Sequence, residues 1–240
     1  MILITGANGG IGQFVAHQLL SRGDRNIICH YRSENERVLS LLKKFDLDPV
    51  KHTINADLVN ESSIESMAKA IKENFGGVDR LLNIAGSSSN AMSWKMSRND
   101  FMKVVEDNLL TSFLCSKVFI PDMRENKFGR IINFSSIVGF TGIPGASHYS
   151  AAKAGLVGLT KSLALELAPK GITVNALALG YFSAGLINEV SPELQMELKK
   201  KIPIGRFGDE QDIGSAVAYL LSQESQFYTG QVMHLNGGQF

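Results

Sequence analysis

"MILITGANGGIG", Met1–Gly12, decides how the rest of the chain is read. A short aliphatic run passes directly into a turn rich in glycine, and helix-compatible sequence begins at Gly10. Glycine tolerates positive φ and close approach of another backbone, and a helix starting there offers free N–H groups and a partial positive charge. A glycine-rich turn alone could be no more than a tight turn. Strand, turn and helix in this order instead suit a pyrophosphate, so a dinucleotide is expected against Gly6, Asn8, Gly9, Gly10, Ile11 and Gly12.

Outward from this unit, β-branched or aliphatic runs alternate with helix-length segments: "NIICHY", "HTINA", "RLLNIA", "GRIINFS", "ITVNALAL" and a late "QVMHL". Runs of this kind are the buried strands of a parallel sheet. Helices are expected to begin near Gly10, Ser33, Ser62, Asp100, Tyr149 and Asp209. The alternation predicts an α/β, Rossmann-type doubly wound parallel sheet of about seven strands with helices on both faces, as a single domain over 1–240. Gly86–Asp100 and Gly180–Lys201 read as long irregular stretches. Both follow strand C-termini, where open α/β sheets bind ligands.

Composition narrows the function. A chain of 240 residues, 44% hydrophobic and 20% charged, can bury one sizeable core, and a net charge of +1 argues against nucleic-acid binding by a broad basic surface. Cys29 and Cys115, each in an apolar segment, read as buried thiols in a reducing compartment. The first residues lack a basic leader, and their apolar run falls far short of the roughly 20 residues of a membrane span, so a cytoplasmic protein is expected. The five histidines are scattered without ligand spacing, and no metal site is expected.

"YSAAKAG", Tyr149–Gly155, places a phenol and an ammonium four residues apart, on one helix face, among small neighbours. An isolated pair of this kind is ordinarily packing, so the wider pattern must carry the argument. Ser147 and His148 adjoin Tyr149, but chain neighbours do not face each other and no G-x-S-x-G elbow exists, which speaks against a hydrolase. At the end of the second strand, "IICHYRSE" offers no acid for a ribose 2′-hydroxyl and instead has Arg32 and Ser33. An arginine there accommodates a 2′-phosphate, so NADP(H) is expected over NAD(H).

Taken together, "TGANGGIG", "ADL", "NIAG", "DNL", "GRIINFSS", "YSAAKAG", "GITVNALALG", "RFGDEQDIG" and "TGQVMHLNGG" resemble, in order and over essentially the whole chain, the short-chain dehydrogenase/reductase family. Within it the chain is most similar to the 3-oxoacyl-[acyl carrier protein] reductases. The resemblance implies four catalytic residues: Tyr149 as general acid, Ser136 as hydrogen-bond donor to the substrate carbonyl, Lys153 on the ribose and beside the phenol, and Asn108 holding a relay water. A cation one turn away is expected to lower the phenol pKa below its usual value of about 10. The resemblance further implies Asp57 and Leu58 at the adenine, Asn83, Ala85 and Gly86 at the adenosine ribose, and Phe182 at the carboxamide through its backbone.

The implied reaction is NADPH-dependent reduction of a 3-oxoacyl thioester, linked to acyl carrier protein or coenzyme A. A reductase of a free ketone or sugar is the alternative, and a nucleotide sensor without catalysis is a third. The resemblance also implies a homotetramer and an acidic carrier docking at Lys127 and Lys170 beside the active-site entrance. Three positions depart from the family pattern: Ile84, Leu179 in place of a proline, and Ala184 in place of a threonine, for which Ser183 could supply a hydroxyl.

Overall fold

The computed structural model describes the backbone of all 240 residues and every side chain except those of Leu186 and Glu189. Seven strands, β1 (Ile2–Ile4), β2 (Ile27–Tyr31), β3 (Thr53–Asn55), β4 (Arg80–Asn83), β5 (Gly129–Ser136), β6 (Ile172–Leu179) and β7 (Val232–Leu235), form one sheet in the order β3-β2-β1-β4-β5-β6-β7. Every neighbouring pair is parallel. The expected doubly wound architecture is therefore the one found. Strand order reverses between β1 and β4, and outside the C-terminal ends of those strands a crevice opens.

The helices are α1 (Gly10–Ser21), α2 (Glu36–Lys44), α3 (Pro49–His52), α4 (Glu61–Phe75), α5 (Arg98–Val105), α6 (Thr111–Glu125), α7 (Val138–Thr141), α8 (Ser147–Leu167), α9 (Pro192–Lys200) and α10 (Glu210–Leu221). Side chains alternate across the sheet, so β1 sends Ile2 and Ile4 to one face and Leu3 to the other. The first face packs against α1, α2 and α10, with Val15, Leu42 and Val217 at its centre. The second packs against α4, α6 and α8, with Ile71, Phe119 and Leu167. Cys29 and Cys115 lie in different layers and are both buried and free; burial pushes each thiol up to about 12.

The stretch Gly180–Lys201, expected to be irregular, contains α9, whose Ser191 side chain accepts from Leu194 N–H and whose first residue is Pro192. These are ordinary helix-start signals. None of its residues is buried, so no core-facing apolar stripe marked it. No described helix is long and apolar enough to cross a membrane.

Candidate active site

A cleft of about 590 Å³ occupies the crevice between β1 and β4 and runs from the end of β2 to α8. Its floor is the glycine-rich turn. Gly6 has φ +65°, and a Cβ there would stand 2.8 Å from the Cα of Ala85 on the opposite wall. At Gly12 an added carbon would run into the Gly6 carbonyl, and at Gly10 into the backbone of Gly185. The turn is thus narrow enough for backbone and ligand to meet closely. No side chain caps α1 and no acid occupies its first turn, which leaves the N–H groups there open to an anion. These features fit a dinucleotide pyrophosphate.

The turn is braced from behind. Asn8 Oδ1 accepts from Val38 N–H at 3.2 Å, tying it to α2. Gly6 N–H donates to His30 Nδ1 at 3.1 Å, so Nε2 carries the proton and donates to the Ala56 carbonyl at 3.0 Å. Burial holds the imidazole at about 4, and His30 is a neutral clamp between β1, β2 and β3. Nothing in the sequence marked this histidine, because its role depends on two backbone groups from distant segments.

Asp57, Leu58, Ala85 and Gly86 line the cleft, as does Arg32. Arg37, on the first turn of α2, lines it too and adds a second guanidinium on that wall. Three expected contact residues do not line it. Ser33 is exposed at the bend before α2. Asn83 points into the interior, where Nδ2 donates to Asn133 Oδ1 at 2.9 Å and has Ser112 O and Ser116 Oγ within reach of its second proton, fastening β4 to α6 and β5. Phe182, whose expected contact is through its backbone, keeps its ring in the core and against Gly208, where a Cβ would approach it to 2.6 Å.

Of the four residues expected to be catalytic, Asn108, Tyr149 and Lys153 line the other end of the cleft, while Ser136 stands beside the phenol without lining it. Ser135 Oγ donates to the Lys153 carbonyl at 2.7 Å and is buried, whereas alternation along β5 turns Ser136 toward the Tyr149 phenol. Asn108 lies in a π-helical turn, Glu106–Leu110, between α5 and α6. Such turns displace a side chain from helical register and recur at functional sites. Asn108 Nδ2 donates to Ser87 O at 2.7 Å and Val104 O at 2.8 Å, while its buried Oδ1 has no described partner. That carbonyl abuts Gly86, where any Cβ would collide with it. An unpaired buried acceptor beside the cleft is suited to an ordered water.

The electrostatics of the pair correct the sequence reading. Burial pushes the Tyr149 phenol up to about 12, opposed only in part by the Ser136 hydroxyl. Lys153 stands off from it. Its ammonium donates to the Phe134 carbonyl at 2.7 Å and lies 5.4 Å from the centre of the phenol ring, and burial pulls its own pKa down to about 8. Four-residue spacing brought the two onto one face, but low polarity around them outweighs their mutual effect.

His148 stands beside them. It is 0% exposed, Tyr149 N–H donates to its Nδ1 at 2.8 Å, and Nε2 faces Ser89 Oγ at 3.3 Å. It satisfies an orphan donor in the first turn of α8, where Ala146 provides no side-chain cap. It also links Tyr149 to the loop 86–97.

Two further expected sites lie outside the cleft of a single chain. Lys127 and Lys170 precede β5 and β6, whose opposite ends carry Ser136 and Leu179; they sit together at the far edge of the sheet, away from the cleft mouth. Eight residues of strand separate the edges by roughly 25 Å. Ser183 Oγ donates to the Gly208 carbonyl at 3.3 Å and is not part of the cleft lining.

A family model described as enoyl-(acyl carrier protein) reductase matches residues 6–239. A 3-oxoacyl-[acyl-carrier-protein] reductase FabG of Staphylococcus aureus is 37% identical over 239 residues, 99% of this chain and 97% of that protein. The FabG of Aquifex aeolicus is 37% identical over 240 residues, covering 99% and 96%. That of Rickettsia bellii is 40% identical over 236 residues, covering 98% and 95%. With this similarity along its whole length, a doubly wound sheet and a tyrosine, lysine and asparagine lining its crevice, the chain belongs to the short-chain dehydrogenase/reductase family and is an oxidoreductase.

Proposed function

We propose that the chain reduces the keto group of a 3-oxoacyl thioester to a hydroxyl, using NADPH. The observation that carries this reading is the convergence of Asn108, Tyr149 and Lys153 on the crevice, with the Ser136 hydroxyl beside the phenol. Full-length similarity to proteins named 3-oxoacyl-[acyl-carrier-protein] reductase supports the acyl thioester. Bound NADPH supplies a hydride to the carbonyl carbon. Ser136 donates a hydrogen bond to the carbonyl oxygen, stabilising the charge that grows there. Tyr149, un-ionised at neutral pH, gives that oxygen its proton. Lys153 holds the ribose hydroxyls and, with a pKa near 8, is poised to return a proton to the phenol. The unpaired Oδ1 of Asn108 anchors the water that connects this relay to solvent. Of the cleft lining, Gly6, Asn8, Gly9, Gly10, Ile11 and Gly12 would cradle the pyrophosphate, Asp57 and Leu58 would border the adenine, and Arg32 with Arg37 would hold the 2′-phosphate.

The reading extends to assembly. A homotetramer would allow the Lys127 and Lys170 edge of one copy to approach the cleft of another, giving an acidic carrier a docking surface that one chain lacks. Buried free thiols at Cys29 and Cys115 accord with a cytoplasmic setting.

The deciding measurement is NADPH oxidation with acetoacetyl thioesters on acyl carrier protein, coenzyme A and N-acetylcysteamine, beside free ketones and a crotonyl thioester. Turnover of the oxoacyl thioesters with silence on crotonyl is expected. Faster crotonyl reduction would make the chain an enoyl reductase, and faster free-ketone reduction would remove the thioester from the proposal.

A further inference from the structure

Asp107 has no role in the chemistry above, yet it lines the cleft one residue before Asn108, in the π-helical turn. Its side chain is 8% exposed. One carboxylate oxygen accepts from the Ser87 hydroxyl and lies 3.5 Å from the Lys103 ammonium, so the group is held from its own wall. The other oxygen is 3.8 Å from Nη1 of Arg32, which reaches in from the end of β2 on the opposite wall and is 60% exposed. The ion pair therefore spans the cleft where the adenosine end of a dinucleotide would enter, with one fixed partner and one loosely held.

A single contact to an exposed guanidinium is weak, and a phosphate with a forked set of oxygens displaces it. Displacement frees Arg32 but leaves the Asp107 carboxylate beside the incoming dianion. That repulsion acts on a 2′-phosphate and is absent for a 2′-hydroxyl. We propose that Asp107 is a specificity-determining residue, competing with the 2′-phosphate for Arg32 and thereby narrowing the preference for NADPH over NADH. The proposal rests on Arg32 being the 2′-phosphate site. Because Asp107 is anchored through Ser87 and Lys103, its charge stays in place whichever cofactor is bound.

The test measures Kd for NADPH and NADH by nicotinamide fluorescence in wild type, Asp107→Asn, Arg32→Ala and the double variant, with thermal melts on each. Asp107→Asn keeps a group for Ser87 to bond and removes only the charge; Asp107→Thr provides a second substitution should the first misfold. Asp107→Asn is expected to tighten NADPH about five-fold and NADH less than two-fold, and this gain should disappear in the Arg32→Ala background. Equal shifts for both cofactors, or a gain that persists without Arg32, would overturn the competition. If Arg32→Ala selectively weakens NADPH while Asp107→Asn changes nothing, only the role of Asp107 fails. If Arg32→Ala affects neither cofactor, the 2′-phosphate assignment fails and takes the Asp107 proposal with it.

Discussion

Lys153 is a cation held in the interior with one hydrogen bond, to the Phe134 carbonyl at 2.7 Å, and burial lowers its pKa from 10.5 to about 8. A gap of that size is worth about 3 kcal/mol, which is the cost of keeping the ammonium charged where the fold puts it. The sign follows from proton counts. Below pH 8 both folded and unfolded states are protonated and the full cost is present; between pH 8 and 10.5 the unfolded state binds more protons, so stability rises with pH; above 10.5 both are neutral and the cost is gone. Urea unfolding of wild type and Lys153→Met, at intervals from pH 7 to 10.5, isolates this contribution. Any single pH mixes in the Phe134 carbonyl left unpaired by methionine, worth about 1–3 kcal/mol, whereas the pH dependence reports the titration alone. Wild type should gain on the variant by about 3 kcal/mol across that window. A difference independent of pH would refute the depressed pKa and, with it, the placement of this proton near neutrality. The same titration predicts that kcat/KM of wild type falls above about pH 8 as the charged form is lost.

Tyr149→Phe should reduce kcat by about a thousand-fold or more while NADPH affinity changes only a few-fold, because the lost hydroxyl acts in the transition state; retained turnover would end its role as proton donor. His148→Ala should lower kcat about ten- to a hundred-fold with little change in cofactor Kd, since the phenol loses its orientation, and His148→Asn, able to accept the Tyr149 N–H, should recover most of it. Equal losses in both variants would show the imidazole to be packing alone. Gly10→Ala, driving a carbon into the Gly185 backbone, should destabilise the fold by about 1–3 kcal/mol and weaken dinucleotide binding at least ten-fold by calorimetry.

The sequence by itself determined the elements that depend on local pattern and period. Aliphatic runs such as Ile131–Phe134 had to be buried strands, and the Met1–Gly12 unit had to pass from strand through turn to helix, because burial and backbone freedom act within a few residues. The Tyr149–Lys153 pair was legible for the same reason, as spacing along one helix. Only the tertiary structure decided what surrounds them. Burial, contributed by residues far along the chain, reversed the expected direction of the Tyr149 pKa and turned Lys153 to a strand carbonyl. Asn83 faced inward because α6 brought Ser112 and Ser116 to it. Lys127 and Lys170 moved to the far edge because parallel strands place all their starts at one end and all their active-site termini at the other. Arg37, His30 and Asp107 gave no local signal, since each acquires its role from a partner or a wall that only the crossovers of the sheet bring near.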